Sequence, residues 1–492
     1  MTLTFTHRII TLVCHRYYKE QSALDPNFSL SPIVVGGDIT EECLAPNVQR
    51  NVAAFTLTVG VISGILSAIT APKLGALSDR YGRKRLLVIC SFGGIVGEVI
   101  TILAANFPDV VHYNWLLLGS FFDGLTGSLT AGSVITHAYT SDCTPPSKRS
   151  VAFGYLHSCL FVGLSIGPLL TGYFVEWTGS LVSLFYVTLG CHIVFILFIN
   201  FVIPESLSKS RQRLAREKWA QEQARKYPPG QQPAWMQSGE SFSRLPLSKP
   251  IGKFIYEIRS THIFAPLKIL FPTGPDSKKL RRNLLTLAII DMSILGAAMG
   301  SGSVMIMYTE AMFGWRNLES SKFVSLVSIV RVFVLAVIFP FLNYWFRVRP
   351  AQRRRRESGE ALVEKNEGAD AVDIGLLRLA LISDVIGITG YIFVRTSKLF
   401  ILCAIVTAVG GLGSATIQAA ITKHVPAERV GQLLGAIGLL HALARIFLPL
   451  LFNGVYAFTV GVFPQAFIVL LAAVFWASLL GSFLVRTNGA YT

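Results

Sequence analysis

Apolar stretches separated by short polar loops recur along the chain from about residue 51 to residue 485. Each stretch has about twenty residues, enough at 1.5 Å per residue to cross a hydrocarbon core about 30 Å thick. Stretches of this length with few charges are typical of transmembrane helices. The pattern predicts eleven of them, at about 51–74, 86–105, 115–140, 151–174, 181–203, 284–308, 322–346, 376–396, 399–421, 431–455 and 464–485.

The composition also favours a membrane protein. The 492 residues are 52% hydrophobic and only 15% charged, whereas about a quarter of the residues in a soluble domain are charged. The net charge of +16 does not indicate nucleic-acid binding, because the Lys and Arg residues lie in loops between apolar stretches. Cytoplasmic loops of membrane proteins carry such an excess.

The loops alternate between basic and non-basic, which sets the orientation. The predicted inner loops are 78–85, 144–150, 204–283, 347–356 and 423–430, whereas the outer loops 106–114, 176–180 and 460–464 are poor in Lys and Arg. The first predicted span therefore runs from outside to inside, and the C-terminus is inside. The sequence thus predicts a polytopic protein of the plasma or vacuolar membrane, in contact with the bilayer and monomeric.

The chain divides into four predicted regions, 1–50, 51–203, 204–283 and 284–486. The third is a large hydrophilic insertion whose first part can form a basic helix that breaks at Pro228. It is interpreted either as a solvated linker between two helix bundles or as a helix lying on anionic lipid, with Trp219 at the headgroup level.

The seven cysteines form no CxxC pair, and most lie within or beside apolar spans. They are interpreted as small apolar fillers rather than disulfide or metal ligands. The first eighteen residues lack a small-residue cleavage site, so no signal peptide is predicted. No zinc spacing, nucleophilic triad or phosphate-binding loop is found, and the sequence predicts no cofactor, no metal and no enzyme activity.

An internal repeat relates the two halves of the chain. Identical spacings place Pro145, Lys148 and Gly154 against Pro426, Arg429 and Gly435. Parallel self-similarity of this kind is typical of two helix bundles related by an axis along the membrane normal.

The predicted inner loop at residues 75–85 has the sequence GALSDRYGRKR. Glycine permits a tight turn between antiparallel helices, and Asp79 can accept hydrogen bonds from a helix N-terminus or an arginine. The loop resembles the G-x-L-x-D-R-x-G-R-K/R signature of the major facilitator superfamily. The resemblance implies two six-helix bundles and a breakable gate on the cytoplasmic side, formed by Gly75, Asp79, Arg80, Gly82, Arg83 and Arg85.

A second motif lies in the helix predicted at 151–174, which is the fifth helix of the superfamily fold. Gly163, Gly167, Pro168 and Gly172 are similar to the family's G-x3-G-P-x2-G-G pattern, which is found mostly in proton-driven exporters. The small residues permit close helix approach and the proline permits a bend. A plain packing role explains the motif equally well.

The helix predicted at 115–140 departs from the exporter pattern. Exporters usually carry R-x2-Q-G there, whereas this chain has Ser120 in the arginine position and Asp123 in the glutamine position. The proton relay of drug/proton antiporters therefore cannot be carried over. Asp123 is expected to share a helix face with Ser120 and Gly127.

Charged groups in the middle of a membrane are costly, so each is a candidate functional group. The candidate substrate or proton groups are Asp123, Asp291, Arg445 and Glu98. In the family the first, fourth, seventh and tenth helices line the cavity, which favours Asp123 and Asp291. The alternative is that some of the charged residues in the spans form structural ion pairs, such as Glu98 or Asp384 with a neighbouring arginine. Three histidines are interpreted as packing residues, namely His137, His157 and His192.

The resemblance to the superfamily covers about residues 50–485. Within the superfamily the chain looks most like fungal relatives of proton-coupled folate carriers and tetracycline exporters. The segments that carry this likeness are DGLTGSLTAG (123–132) and DCTPPSKRSVAFG (142–154). The family has twelve helices, and the signature loop lies between its second and third. The first helix is therefore expected to be missing, with residues 1–16 as its remnant. Translating the region upstream of Met1 would distinguish an internal start from an eleven-helix variant.

The sequence thus predicts a secondary transporter that moves a small organic solute by alternating access, with protons as the coupling ion. The glycine–proline motif favours export and the folate-carrier likeness favours uptake, so the direction stays open. The alternative is a non-transporting membrane sensor or a relic of a transporter.

Overall fold

The computed structural model describes residues 2–24, 43, 46–108, 110–180, 182–226, 266–272, 277–315, 317–358 and 368–487. Within these ranges the fold is helical. The helices are α1 Thr2–Leu24, α2 Pro46–Tyr81, α3 Arg83–Asn106, α4 Trp115–Leu125, α5 Ser128–Cys143, α6 Pro146–Thr178, α7 Val182–Phe201, α8 Lys209–Lys226, α9 Ser277–Phe313, α10 Asn317–Phe333, α11 Phe339–Asn343, α12 Arg349–Ser358, α13 Ala371–Phe393, α14 Ser397–Ala408, α15 Gly411–Thr422, α16 Val430–Thr459 and α17 Ala466–Ser482.

Every predicted span coincides with helical structure. In the span predicted at 322–346, π-helical turns at Val334–Ile338 and Tyr344–Val348 join α10, α11 and α12 into one continuous helix. Two other spans are interrupted. Eight helices of the described ranges are long and apolar enough to cross a membrane. The span predicted at 115–140 breaks between α4 and α5, where Gly127 has a φ of +86° and Ser128 a φ of +52°. The span predicted at 399–421 breaks at Val409 and Gly410, between α14 and α15.

The break after α4 corrects one expectation. Ser120 and Asp123 both lie in α4, but Gly127 adopts the left-handed conformation that ends the regular helix. Gly127 therefore does not extend the α4 face that carries Asp123.

The N-terminal region differs from the prediction. Residues 1–16 were expected to be the remnant of a missing first helix, and the rest of the region 1–50 was read as an outer loop, yet α1 is helical through Leu24. Its apolar residues Ile9, Leu12 and Val13 pack with residues of α2, α3 and α4 in one buried cluster. Most of the remaining predicted outer segment, residues 25–42, lies outside the described residues.

A disulfide joins Cys14 to Cys43. The interpretation of these two cysteines as apolar fillers was therefore wrong. Both residues are fully buried in the cluster under α1, so the bond fixes the following segment against the helix. Sequence spacing could not reveal the pair, because the two residues are 29 positions apart and form no recognisable motif.

The first-half helices α2–α7 and the second-half helices α9–α17 meet mainly through α2 against α16 and α6 against α10 and α15. Ser325 of α10 donates a hydrogen bond to the Ser165 carbonyl oxygen of α6 at 3.1 Å. Gly438 of α16 packs on α5, because a Cβ atom there would lie 2.7 Å from Cγ2 of Val134.

Helix α8, the described part of the central segment, contacts both halves of the chain. The Arg80 guanidinium lies over the Trp219 ring, 4.7 Å from its centroid. Lys218 pairs with Glu428, and Glu222 pairs with Arg429 at 3.5 Å. The helix therefore contacts α2 in the first half and the turn before α16 in the second. Residues 227–265, with the predicted break at Pro228, lie outside the described residues.

Candidate functional site

Asp79 joins the two halves at the end of the bundle that the loop pattern predicts to be the inner one. It lies in the last turns of α2 and is 5% exposed. Its Oδ1 accepts the Gly431 amide at 3.1 Å and its Oδ2 accepts the Gln432 amide at 2.9 Å. These amides begin α16 and lack partners within the helix, so a carboxylate at this position is favoured by both hydrogen bonding and the helix dipole.

Arg83 completes this inner cluster. The guanidinium is fully buried and lies 2.6 Å from Asp79 Oδ1 and 2.9 Å from Asp142 Oδ2 of α5. It also donates to the Ser78 hydroxyl at 2.6 Å. One arginine therefore compensates two buried carboxylates, which would otherwise be strongly destabilising.

The other residues of the signature loop have separate positions. Gly82 has a φ of +99° in the turn between α2 and α3, whereas Gly75 lies within α2 against α16 rather than in the turn. Arg80 contacts Trp219 of α8, and Arg85 is exposed at the start of α3.

A second inner cluster, not predicted, surrounds Asp373 in the first turns of α13. Asp373 Oδ1 lies 2.6 Å from the Arg347 guanidinium and its Oδ2 lies 2.6 Å from Lys423 Nζ. The Ser150 hydroxyl of α6 donates to Asp373 Oδ1 at 3.0 Å. Burial lowers the pKa of Lys423, which lies in the loop after α15, and the Asp373 carboxylate opposes this shift. The cluster ties α6 of the first half to the second half.

A sequence signal for this second cluster exists. Asn343 and Arg347 have the same spacing as Asp79 and Arg83, and Arg347 donates to Asn343 Oδ1 at 3.0 Å. In the second half Asn343 occupies the position that Asp79 has in the first half. The carboxylate that pairs with Arg347 therefore comes from Asp373 of α13. Because that carboxylate comes from another part of the chain, a search for a repeated motif does not find it.

Asp123 lies in α4, one turn before the helix break, and is partly buried. Its Oδ2 accepts the Ser63 hydroxyl of α2 at 3.0 Å. Arg445 of α16 interacts with it electrostatically. The Nε of Arg445 is buried and has no hydrogen-bond partner among the described residues. Two of the candidate groups, one from each half, therefore lie near each other.

Asp291 pairs with His441 rather than with an arginine. Its Oδ2 lies 2.7 Å from His441 Nε2, and Asp291 is 1% exposed in the middle of α9. His441 belongs to α16, one turn before Arg445. A carboxylate accepts this hydrogen bond only if His441 Nε2 carries the proton.

His137 of α5 and His157 of α6 lie beside this pair. Their ring centroids are 5.3 Å apart, and His137 is in electrostatic range of both Asp291 and His441. His137 Nε2 and His157 Nδ1 are buried without partners in the described chain. The reading of these two as plain packing histidines missed their proximity, because four different helices contribute the cluster.

The remaining candidates lie apart. Glu98 of α3 has a buried Oε2 without a hydrogen-bond partner in the described ranges. A Cβ atom added at Gly163 or Gly167 would meet no atom of the described residues within 4 Å, so the surface around these two glycines is open in this structure. Pro168 and Gly172 lie in the same helix, α6.

Asp384 of α13 was read as a partner for a neighbouring arginine, and it interacts electrostatically with Arg331 of α10. It packs on the break between α14 and α15, because a Cβ atom at Gly410 would lie 1.9 Å from its Oδ1. In the described residues no group of three His, Cys, Asp or Glu is placed to hold a metal ion.

A bundle of long apolar helices with paired ionic clusters at one end is the architecture of an integral multi-pass transporter. The family model "Major Facilitator Superfamily" matches residues 33–356. The chain therefore belongs to the major facilitator superfamily, as the signature loop predicts.

Known relatives agree with the predicted branch. The chain is 28% identical over 460 residues to the MFS-type transporter avaJ of Aspergillus versicolor, covering 94% of this chain and 80% of that protein. It is 24% identical over 416 residues to the class H tetracycline resistance protein of Pasteurella multocida, covering 84% and 82%. It is 24% identical over 175 residues to the rat proton-coupled folate transporter, covering 36% and 38%. The resemblance to fungal, tetracycline and folate transporters is confirmed.

A solved structure supports the fold. The crystal structure of the human organic anion transporter MFSD10 (TETRAN) superposes with a TM-score of 0.62 at 16% identity, covering 99% of this chain and 98% of that one. At this identity the likeness establishes the major facilitator fold and leaves the solute undetermined.

Proposed function

We propose that this protein moves a small organic solute across its membrane by alternating access, coupled to protons. The observation that carries the proposal is the buried pair Asp291–His441 beside His137 and His157. The pair lies where the C-half helices α9 and α16 meet α5 of the other half. A titratable group at that interface can change charge as the halves move.

The physical argument concerns the net charge of the pair. With His441 neutral, the pair carries one negative charge, which is costly away from water. A proton that binds Nδ1 of His441 makes the imidazole positive and the pair neutral. A proton carried on the pair would therefore remove a net charge from the interface between the two halves.

The two inner clusters support alternating access. Asp79 and Asp373 both tie the halves together at the cytoplasmic end, which is the arrangement expected of a state closed to the inside. Each contact joins groups that would separate when the inner end opens. Asp123 with Arg445 then provides a polar region for the solute near the break after α4, and broken helices often mark transporter binding sites.

The experiment uses the full chain in proteoliposomes with a pH-sensitive dye inside. Solutes drawn from those named for the relatives, a tetracycline and a folate, begin a wider panel of metabolites and drugs. A transported solute is expected to change the internal pH. Asp291→Asn and His441→Gln are expected to abolish the proton signal, whereas His112→Gln, a histidine in the loop between α3 and α4, retains it.

The outcomes separate the claims. Solute flux that continues in Asp291→Asn with unchanged proton movement would remove the pair from coupling. Binding of solutes without flux for any member of the panel would favour the alternative of a non-transporting sensor. Correct insertion of each variant is checked by size-exclusion chromatography before flux is measured.

A further inference from the structure

A basic cavity opens at the cytoplasmic end between α9, α13 and the residues after α17. Its volume is about 450 Å³, and its described lining contains three basic side chains and no acidic one: Lys279, Arg378 and Arg486. We propose that this cavity binds the headgroup of an anionic phospholipid of the inner leaflet.

The cavity is held in place by buried contacts. Asn283 of α9, fully buried, accepts the Arg486 amide at 3.1 Å and donates to the Arg486 carbonyl oxygen at 2.7 Å. These bonds fix the Arg486 backbone while its side chain stays exposed. Arg378 lies over the Phe483 ring at 4.4 Å and donates to the Ser482 carbonyl oxygen at 3.4 Å.

Arg378 retains unused hydrogen-bonding capacity. Its Nε is buried and has no partner among the described residues, although a guanidinium offers five donors in a fork that suits phosphate oxygens. A buried donor without a partner is costly. A phosphate or carboxylate oxygen in the cavity would satisfy it and neutralise part of the local positive charge.

The surface beyond the cavity is apolar and matches acyl chains rather than a soluble anion. Along α13, Leu379, Ile382 and Ile386 are exposed on the face that continues from Gly375 in the cavity lining. On the adjoining α17, Trp476 and Leu480 are exposed in the same way. A charged cavity at headgroup depth above an apolar stripe has the polarity of a phospholipid, and basic pockets between helices on the cytoplasmic side are known to bind such headgroups.

The test measures lipid binding directly and needs no transported solute, so it stands independently of the proposed transport. Native mass spectrometry of the full chain in micelles counts bound phosphatidylserine against phosphatidylcholine, with inorganic phosphate alone as a third arm. Wild-type protein is expected to retain phosphatidylserine preferentially. Each removed charge, in Lys279→Gln and Arg486→Gln, is expected to weaken its binding about five-fold.

Lys278→Gln is the matched control, because Lys278 is the exposed neighbour of Lys279 and does not line the cavity. It is expected to bind like wild type. Arg378→Lys, which keeps the charge but removes the fork, is expected to bind less tightly. Equal retention of both lipids, unchanged binding in Lys279→Gln with Arg486→Gln, or displacement of phosphatidylserine by millimolar inorganic phosphate would overturn the proposal.

Discussion

Gly75 of α2 packs directly on Gly431 of α16, so that a Cβ atom added to Gly75 would lie 2.7 Å from the Gly431 carbonyl oxygen. The contact joins the halves one turn from Asp79, whose carboxylate accepts the Gly431 amide. Closure of the inner end therefore requires a glycine at position 75 as well as the negative charge of Asp79.

Replacing Gly75 by alanine is expected to hold the inner end open. The obstructing atom belongs to backbone, which cannot move aside as a flexible side chain can. Nitroxide labels at the exposed inner positions Arg85 and Gln352 would report a longer distance in Gly75→Ala than in the parent protein. Gly60→Ala, on the same helix but with open space around the added carbon, serves as the control. If the distance distribution of Gly75→Ala is the same as those of Gly60→Ala and the parent protein, contact between Gly75 and Gly431 does not control closure of the inner end.

Asp79→Asn is expected to loosen the start of α16. The substitution removes a charge that accepts two amides and pairs with Arg83, and a charge-assisted hydrogen bond contributes about 1.5–3 kcal/mol. Hydrogen exchange of the Gly431 and Gln432 amides should accelerate about ten-fold or more. Arg85→Gln, exposed on the same loop, should leave these rates unchanged. Unchanged exchange in Asp79→Asn would limit the loop to a topological role.

Asp373→Asn is expected to destabilise the protein strongly. The substitution leaves the buried Lys423 charge without its ion-pair partner and Arg347 with Asp370 alone, and breaking a buried ion pair costs about 3–5 kcal/mol. The thermal unfolding midpoint of the purified protein measures the effect.

Asp370→Asn is the matched control for Asp373. Asp370 also contacts Arg347, but its side chain is 43% exposed and asparagine retains its N-cap role at α13. A much smaller drop in midpoint is expected. Equal drops for the two variants would mean that burial of the carboxylate does not set the cost.

Asp123→Asn is expected to abolish pH-dependent flux in the proteoliposomes. The Asp123 carboxylate interacts electrostatically with Arg445 in the polar region proposed for the solute, and an amide would leave the Arg445 charge without this partner. Ser63→Ala, which removes only the hydrogen bond to Asp123, should reduce the rate modestly and keep its pH dependence. A wild-type pH profile in Asp123→Asn would exclude this residue from coupling.

The Cys14–Cys43 bond predicts a labelling pattern. A thiol-reactive maleimide should modify both cysteines only after reduction and unfolding, since they are bonded and buried. Cys14→Ser should lower the free energy of unfolding by about 3 kcal/mol if α1 unfolds with the rest. Cys191→Ser, at an exposed free thiol, should have little effect. Labelling of Cys14 without reductant would show that the bond is absent.

The sequence predicted some features of the candidate site and missed others for identifiable reasons. Asp79 and Arg83 were found because the whole motif is local, within five residues. Asp291 was found because a lone carboxylate in an apolar span is conspicuous. Its partner could not be predicted, because His441 is 150 residues away and hydrogen-bonding partners are not encoded in helical periodicity.

For Gly163 and Gly167 the sequence predicts only that close helix packing is possible. Glycines permit close approach but do not require it, and in this state the surface around them is open. The small-residue pattern identifies a helix face that can pack, whereas the relative position of the two halves decides whether it does.

By itself, the sequence determined the helical membrane class, the approximate positions of the spans and the family. Each follows from local properties, namely runs of apolar residues and one contiguous motif. The tertiary structure decided the Asp291–His441 pair, the Asp373 cluster, the disulfide and the basic cavity. Each of these depends on which helix faces meet, and that is set by packing between segments far apart in the chain.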